Sequence, residues 1–509
     1  MAPVRTAPLR PVPYPPGDAR ISVINHAPPN PEGRIVLYWM VGARRTHDNP
    51  ALTRAVHYAR ELRRPLVVLE PLRADYPWAS DRLHQFVVDG MLDNARRLAG
   101  TPIHYYPYVE PEARAARGLL ATLANEAAVV VTDRSPAFFL PRMLAAAAAH
   151  VPGRLEAVDG NGVLPLDAAL RVFPTAYGFR RFLQRTLPSV ADSLRRDPRV
   201  DLQDLPPLLD ADRTWLRTIQ DRWPALVPDA AGAAALVRAL PIDHAVRPGV
   251  QQGGSTAAQA TLSRFLRDGL SRYATDRNQP DLDRTSNLSP YLHFGHIAAT
   301  DVCRQVLSHA GWSGEMAATV HGHREGWWGL DVNAEAFLDE LLTWRELGLN
   351  AAAHLPGYDR YETLPPWARD TLAAHRADPR PYAYDLATLD AAATHDPLWN
   401  AAQRQLVTEG RLHNMLRMLW GKKILEWSPS PEAALDAMVH LNNRYAVDGR
   451  DPNSYSGIFW VLGRYDRAWG PERSIFGTIR YMSSANTARK VRVKQYLVRY
   501  GAERSLLPA

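Results

Sequence analysis

The sequence has few of the features that mark secreted or membrane proteins. Its 509 residues include one cysteine, Cys303, so no internal disulfide framework exists. That cysteine lies in an apolar, helical segment, which is typical of a buried thiol in a reducing compartment. No uninterrupted apolar run approaches the roughly 18 residues that a membrane span needs, and the proline-rich N-terminus lacks the apolar core of a signal peptide. We therefore expect a cytoplasmic protein that does not cross a membrane.

Two binding motifs are also missing. The chain has no GxGxxG pattern, so an ordinary nicotinamide-dinucleotide fold is not supported. His321 and His323 come nearest to a metal motif, but they stand two apart in a loop-like stretch with no cysteine or carboxylate cluster nearby. We therefore predict no metal site.

The composition that remains is that of an ordinary globular protein with a basic C-terminal end. Apolar residues make up 46% of the chain and charged residues 22%, and the length favours two domains. The formal net charge is +7, and residues 401–509 alone carry 17 basic and 9 acidic residues. This excess suits a polyanionic partner such as DNA, although charge alone fits a merely basic surface equally well.

Hydrophobic patterning divides the chain into four parts. Residues 1–33 are proline-rich and are predicted to form a disordered arm. Between residues 34 and 160, short β-rich runs alternate with helical patterns, which predicts a parallel, Rossmann-like α/β domain; the runs are RIVLYWM, PLVVLEP, PIHYYP, AVVVTD and LEAVD. Residues 161–250 are predicted to be an interdomain connector with one helical piece. Strand patterns then disappear, and residues 251–500 are predicted to form an all-helical domain.

The stretch from residue 411 to residue 453 combines aromatic and polar side chains. Trp420 and Trp427 are seven residues apart in a helical pattern, so they share one helix face, and Trp399 lies upstream. Taken alone, the tryptophans are most simply explained as core packing. A core does not explain the basic and amide residues between them, among which are Arg417 and Asn442.

Two further segments each allow a structural and a functional interpretation. The segment RTSNLSPYLHFG, residues 284–295, is either an ordinary capped helix N-terminus or a site where backbone N–H groups hold a phosphate. The segment FLDELLTWRELGLN, residues 337–350, places Glu340 and Trp344 on one face of a helix. It is either a surface ion-pair helix with one core tryptophan or part of a binding pocket.

These motifs closely resemble the photolyase/cryptochrome family, and in particular the class II cyclobutane pyrimidine dimer photolyases. They occur in order over residues 34–491 as YWM, RTSNLSPYLHFG, HDPLWNA, MLWGKKILEW, LNNRYAVDGRDPN and FGTIRYM. Six ordered motifs are far more specific than one. The resemblance implies an α/β domain that holds an antenna pigment, commonly a deazaflavin or a folate, and a helical domain that binds FAD and DNA. It implies a light-driven lyase, with no obligate protein partner, that acts as a monomer on cyclobutane pyrimidine dimers in DNA.

The resemblance also assigns roles to individual residues. It implies FAD contacts by Tyr273, Thr285, Ser286, Asn287, Leu288, Ser289, Arg345, Arg417, Asn442, Asp448 and Arg450. It implies an electron relay that runs from the flavin towards the surface through Trp420, Trp399 and Trp427. It implies contacts with the lesion or the DNA by Arg277, Asn278, Glu340, Trp344, Met418, Trp460, Trp469 and Arg480.

Some of these roles have a chemical basis. A carboxyl beside a flavin and flat bases loses hydration, so Glu340 is expected to favour its neutral form and donate a hydrogen bond to a base carbonyl. The amide of Asn442 can offer a donor or an acceptor to the reactive ring nitrogen of the flavin. The Arg417–Asp448 pair is expected to bias the flavin towards its reduced, anionic state.

Two other functions are compatible with the same fold. A cryptochrome-like photoreceptor would be expected to lose the lesion-pocket residues or to gain a long C-terminal extension, whereas this chain keeps Glu340, Trp344, Met418 and Trp460. A DNA-binding protein with a structural flavin would bind in the dark and repair nothing under light. The sequence departs from the family pattern in the antenna half, where VDGNGVLP replaces the usual His-Asn pair, so the identity of the antenna stays open.

Overall fold

The N-terminal part of the chain forms one six-stranded sheet. The structure is a computed structural model and describes residues 18–227 and 229–501. The strands are β1 (Ile21–Val23), β2 (Ile35–Trp39), β3 (Leu66–Leu72), β4 (His104–Val109), β5 (Ala127–Arg134) and β6 (Arg154–Asp159). They lie in the order β1-β6-β5-β2-β3-β4. All neighbouring pairs are parallel except β1 and β6.

Both faces of this sheet are buried, which is why its strands read as continuous apolar runs. Successive residues of β2 alternate between two hydrophobic clusters: Ile35 and Leu37 belong to one, and Val36 and Tyr38 to the other. The five predicted runs all form strands, and the Rossmann-like prediction is confirmed for them. Because the strand order reverses between β2 and β5, a crevice is expected at their carboxyl ends. There the Asp133 carboxylate accepts hydrogen bonds from the N–H groups of Val41, Gly42 and Ala43.

The structure differs from the prediction at the N-terminal arm. Residues 1–17 lie outside the described residues, but Asp18–Arg20 forms a 3₁₀ turn and β1 pairs antiparallel with β6. The guanidinium of Arg20 also donates to the carbonyl oxygens of Gly162 and Val163. The arm is therefore ordered from residue 18 onwards, and the sheet is mixed rather than fully parallel.

Helices flank the sheet and are the main regular structure in the rest of the described chain. Those between the strands are Pro50–Leu62, Asp81–Leu98, Leu119–Asn125 and Leu140–Ala148. The predicted connector, described except for Pro228, contains Ala176–Thr186, Ala191–Arg195, Asp210–Arg222 and Ala230–Ala239, and so is more helical than expected. The C-terminal helices are Ser255–Asp268, Tyr273–Asp276, Ser289–His293, Ala299–His309, Val332–Leu338, Arg345–His354, Pro366–Ala374, Leu386–Asp390, Pro397–Glu409, Asn414–Trp427, Pro431–Tyr445, Pro452–Val461, Ser484–Lys490 and Lys494–Tyr500. Between Val332–Leu338 and Arg345–His354 lies a π-helix, Asp339–Trp344.

Local sequence explains where several of these helices begin. A cap residue followed by proline starts helices after Asn49, Asp396, Ser430 and Asp451, and each cap side chain accepts a hydrogen bond from a backbone N–H of the first turn. Within the described ranges, no strand follows β6, and no helix is long and apolar enough to cross a membrane.

The α/β and helical domains are joined by buried polar contacts. Arg345 Nη1 donates to the carbonyl oxygen of Asn161 at 2.9 Å. The neighbouring Glu346 accepts from the backbone N–H groups of Val163 and Leu164 at 2.6 Å and 3.4 Å. The loop that departs from the family pattern is therefore held by the helical domain. Burial raises the pKa of the Glu346 carboxyl to about 7, and the hydrogen bonds from Val163 and Leu164 oppose that rise.

This carboxyl leads to a prediction about stability and pH. Its folded pKa lies above the unfolded value of roughly 4.3, so the native state binds the proton more tightly. The contribution of Glu346 to the free energy of unfolding is therefore fully present below about pH 4.3 and falls as pH rises through about 7. We expect Glu346→Gln to remove this fall, which amounts to about 4 kcal/mol in total. Urea denaturation at several pH values measures it, with the exposed Glu325→Gln as the control. Parallel curves for Glu346→Gln and the parent would contradict the assignment.

Candidate active site

The three predicted relay tryptophans lie together on two helices. Trp399 comes from Pro397–Glu409, and Trp420 and Trp427 come from Asn414–Trp427. The Trp399 indole N–H donates to the carbonyl oxygen of Trp420 at 3.0 Å, and the Trp420 N–H donates to Gln403 Oε1 at 2.8 Å. The ring centroids of Trp399 and Trp427 are 5.4 Å apart. These contacts fix the orientation of each indole.

The outer end of this group is more covered than expected. Trp427 is only 1% exposed, although the family order places it nearest to the surface. Tyr384 and His395 pack edge-on against its ring, with centroid distances of 5.2 Å and 5.5 Å. The helix therefore carries buried rings at its middle and at its C-terminal end, which the core interpretation also predicts.

A second group of polar side chains surrounds Asn442. Arg417 Nη1 donates to Asn442 Oδ1 at 3.2 Å, and Arg417 Nη2 lies 3.5 Å from Asp448 Oδ1. The Asn442 amide donates to Ser454 Oγ at 2.8 Å. Among the described residues, the buried Asp448 Oδ1 has no hydrogen-bond partner. An unsatisfied buried oxygen beside an amide and a guanidinium fits the polar edge of a bound cofactor such as a flavin.

The predicted phosphate loop differs in its details from the sequence expectation. Thr285 to Ser289 lead into a helix of only five residues, Ser289–His293. So short a helix has a weak dipole, and a phosphate placed here would be held mainly by the hydroxyl and N–H groups of the loop. Asn287 has a positive φ of 56° and its Oδ1 accepts a hydrogen bond from Arg411 Nη1 at 2.9 Å. Ser286 Oγ accepts from the N–H of Leu288.

Sequence reasoning missed Arg411 as part of this site. Its guanidinium forms two hydrogen bonds with Asp283, at 2.7 Å and 2.6 Å, and one with Glu409 at 2.8 Å. The residue stood at the edge of the aromatic stretch, and only the three-dimensional fold brings it to the loop. Its effect on the site is to hold Asn287 in place.

Glu340 and Trp344 lie on the π-helix rather than on the regular α-helix that was predicted. Such turns often occur at functional sites. The Glu340 carboxylate forms an ion pair with Arg277, and both side chains are half-buried. Burial raises the pKa of Glu340 above its ordinary value, while the Arg277 cation opposes this rise. The buried Tyr273 packs edge-on against Phe337, with Arg277 over its ring.

Trp344 and Trp460 form a stacked pair. Their ring centroids are 4.8 Å apart and their planes differ by 18°. Trp460 belongs to the helix Pro452–Val461, which also carries Ser454, the partner of Asn442. Ser454 and Trp460 are six residues apart on this helix, which is about 9 Å along its axis. One helix thus links the Asn442 group to the stacked pair.

A cavity of about 150 Å³ lies between the α/β domain and the helical domain. Arg345 and Arg450, which were predicted to contact FAD, both line it. The Arg450 guanidinium lies between 5.7 Å and 5.9 Å from the ring centroids of Tyr76, Phe138 and Phe294. Burial lowers the pKa of Arg450. The cavity lies at the carboxyl ends of β2 and β5, where a ligand crevice was expected.

The predicted DNA-contacting residues lie near these groups. Trp469 stacks with two guanidinium groups, those of Arg467 at 4.6 Å and Arg480 at 5.1 Å from its ring centroid. Its indole N–H donates to Asp466 Oδ1 at 3.0 Å. Met418 is partly buried against the helical core, and Asn278 is half-buried beside Arg277.

The chain is similar to known proteins over nearly its whole length. It is 36% identical to the deoxyribodipyrimidine photo-lyase of Methanothermobacter thermautotrophicus, covering 94% of this chain and 97% of that protein. It is 33% identical to the enzyme of the same name from Oryza sativa subsp. japonica, covering 98% and 93%, and 32% identical to that from Potorous tridactylus, covering 94% and 82%. No protein-family model matches the chain. A bacterial class III photolyase from Agrobacterium tumefaciens has a similar fold, with a TM-score of 0.64 at 17% identity over 92% of this chain and 86% of that one.

Proposed function

Because the chain belongs to the deoxyribodipyrimidine photo-lyase family, we propose that it uses light to split cyclobutane pyrimidine dimers in DNA, with reduced FAD as its cofactor. The observation that carries this function is the Trp344–Trp460 pair beside Glu340, joined by one helix to the Asn442 group. We assign the enzyme to class II on its motifs, and expect a cytoplasmic monomer associated with DNA. The photo-lyase relatives do not favour a cryptochrome-like photoreceptor.

The residues around Asn442 and the loop Thr285–Ser289 suit FAD. Bound reduced FAD supplies, on absorbing light, the electron that opens the cyclobutane ring and that returns afterwards. Asn442 would offer its amide to the flavin ring, and Arg417 would place a positive charge beside it. Thr285, Ser286 and Asn287 would hold the diphosphate through hydroxyl, amide and backbone N–H groups.

Glu340 would act on the lesion rather than on the cofactor. Burial raises its pKa, so the neutral carboxyl forms more readily once Arg277 is displaced, and that form can donate a hydrogen bond to a base carbonyl that gains negative charge. Arg277 now pairs with this carboxyl and would be free to contact the DNA once the lesion takes its place. Trp344 and Trp460 would pack against the flipped bases. Because their rings already touch, the lesion must stack on the outside of the pair or separate it.

The interdomain cavity is the proposed antenna site. Aromatic rings from both domains and two arginines suit a flat, partly anionic pigment, such as a deazaflavin or a folate.

The relay tryptophans would serve a different purpose. Indole is oxidisable, so Trp420, Trp399 and Trp427 would carry an electron inwards to restore the reduced cofactor.

A repair assay tests the proposed function. A duplex with a single cyclobutane dimer is incubated with the purified protein under blue light and in darkness, and restored thymines are measured by chromatography. We expect ring opening only under light and only when the protein has the absorption bands of a flavin. Binding to the damaged duplex without ring opening in either condition would overturn the proposal. An absorption band beyond those of the flavin would identify the antenna.

Arg480 and Trp460 are expected to affect DNA binding in different ways. Arg480→Ala removes a cation, so the slope of log affinity against log salt should flatten by up to about one unit. Trp460→Ala removes a stacking ring worth roughly 1–3 kcal/mol per base, so it should lower the preference for damaged DNA and leave the slope unchanged.

Titration of both variants with damaged and intact duplex at several salt concentrations measures these effects. Arg217→Ala, an exposed arginine on the far helix Asp210–Arg222, is the matched control. If Trp460→Ala prefers the lesion as strongly as the parent, that ring does not line the pocket.

A further inference from the structure

Lysine is rare in this chain, and one lysine is buried beside the proposed lesion pocket. Lysine occurs only at positions 422, 423, 490 and 494, whereas lysine and arginine together number 60. Lys423 pairs with Glu426 at 2.7 Å. Lys422, one position earlier, is only 1% exposed. A chain that uses arginine almost everywhere therefore has, at a fully buried position, the basic residue that can lose its proton.

The ammonium group of Lys422 caps the helix that carries Trp460. Lys422 Nζ donates to the carbonyl oxygen of Val461 at 2.5 Å. Val461 is the last residue of Pro452–Val461, where carbonyl groups have no partner within the helix and the helix dipole favours a positive charge. The contact thus fixes the end of the helix next to the stacked tryptophan.

The backbone at Gly421 lies close to the same residue, Val461. A Cβ atom at position 421 would lie 2.6 Å from Val461 Cγ2 and 3.0 Å from Met438 Sδ. The Lys422 helix therefore packs closely against the end of the Trp460 helix, and a larger residue at position 421 would require these side chains to shift.

The charged groups that face Lys422 lie in the predicted DNA-contacting segment. Burial lowers the pKa of Lys422 to about 7, with Asp466 opposing the shift and Arg480 adding to it. Asp466 accepts the indole hydrogen bond of Trp469, and Arg480 lies over the same ring. The ammonium thus contacts the helix of Trp460 directly, whereas the carboxylate that orients Trp469 attracts it from beyond ion-pair distance.

We propose that Lys422 is a positioning residue for lesion recognition, which holds the end of the Trp460 helix in place. The inference rests on the proposed photolyase function, because it concerns the preference for damaged over intact DNA. The charged form caps the helix more strongly than the neutral amine, so loss of its proton loosens this contact. Lesion preference should therefore be higher on the acidic side of the Lys422 titration than on the alkaline side.

Lys422→Met, which keeps an unbranched side chain only one atom shorter and removes its charge, tests the inference. Affinities for damaged and intact duplex are measured in the dark between about pH 6 and about pH 8.5. In the parent, the ratio of the two affinities should fall about five- to tenfold over this range, the scale of one ordinary hydrogen bond. In Lys422→Met it should be low and independent of pH, and Lys423→Met should behave as the parent. Equal pH dependence in Lys422→Met and the parent would overturn the inference.

A second measurement keeps the inference testable if Lys422→Met folds poorly. Lysine labelled with ¹³C at Cε gives four side-chain signals in the parent, from the four lysines of the chain. One of them should titrate near neutral pH together with the lesion preference, and no such signal would refute the role. Light-driven repair by the parent is measured in parallel. Absent repair counts against the photolyase function, whereas normal repair with an unchanged preference in Lys422→Met counts against Lys422 alone.

Discussion

Trp420→Phe is expected to lower the rate of light-driven reduction of oxidised flavin by roughly two orders of magnitude, a barrier of nearly 3 kcal/mol. Phenylalanine is much harder to oxidise than tryptophan, so the inner step of the relay would be lost. Repair by enzyme that has been reduced chemically beforehand should stay near the parent level, because it requires only transfer between cofactor and lesion. Anaerobic photoreduction followed by absorption, and a repair assay with dithionite-reduced protein, measure the two activities.

The control for this variant must separate electron transfer from packing. Trp420→Phe also removes the hydrogen bond to Gln403 Oε1, and an unpaired buried group costs about 1–3 kcal/mol of stability. Thermal unfolding of the variant therefore accompanies the kinetic measurements. Trp215→Phe, in the helix Asp210–Arg222 outside the relay, is the matched substitution. Loss of photoreduction and repair to the same degree would show that the relay and the repair step are not separate.

Glu340→Ala is expected to slow repair per absorbed photon by about 10²–10³-fold, the effect of removing one donor that stabilises developing negative charge. Affinity for damaged DNA should change by much less, because the carboxyl acts mainly on the charged state of the lesion. Quantum yields at saturating protein and binding curves in the dark give the two quantities. A loss confined to binding would contradict this role.

Glu340→Gln distinguishes the charge of this residue from its hydrogen bond. The amide can donate to a base carbonyl, as a neutral carboxyl can, but it cannot pair with Arg277 as an anion. If the neutral donor carries the function, the glutamine variant should repair much faster than the alanine variant. Equal rates for the two would indicate that the pair with Arg277 is what matters.

Much of the fold could be predicted from the sequence because its strands are buried on both faces. The five runs from RIVLYWM to LEAVD are mostly apolar and long enough to be recognised. Strand β1 escaped prediction because three residues among prolines have no detectable period. The helix Asp210–Arg222 was missed since it lies in a stretch rich in charge and proline, where tertiary contacts rather than pattern decide the structure.

The site was less predictable, because motifs identify residues but not the directions of their side chains. The resemblance identified Trp399, Trp420 and Trp427, and the structure places them together. The burial of Trp427, against which Tyr384 packs, could not be predicted from the sequence. Arg450 was expected at the flavin and its guanidinium lies at the interdomain cavity. The contact between Arg411 and Asn287 joins residues more than a hundred positions apart, which no local pattern reveals.

The π-helix Asp339–Trp344 determines how far the helix after it is rotated about its axis relative to the helix before it. A π-turn holds one residue more than an α-turn, so the helix on its C-terminal side is rotated by about 100° relative to an unbroken α-helix. On one side of this offset Phe337 faces Tyr273, and on the other Glu346 faces the loop of the α/β domain. Removing a single residue here would turn Glu346 away from its partners and would also change the angle between Glu340 and Trp344 within the turn. The number of residues in this turn is therefore as strongly constrained as their identity.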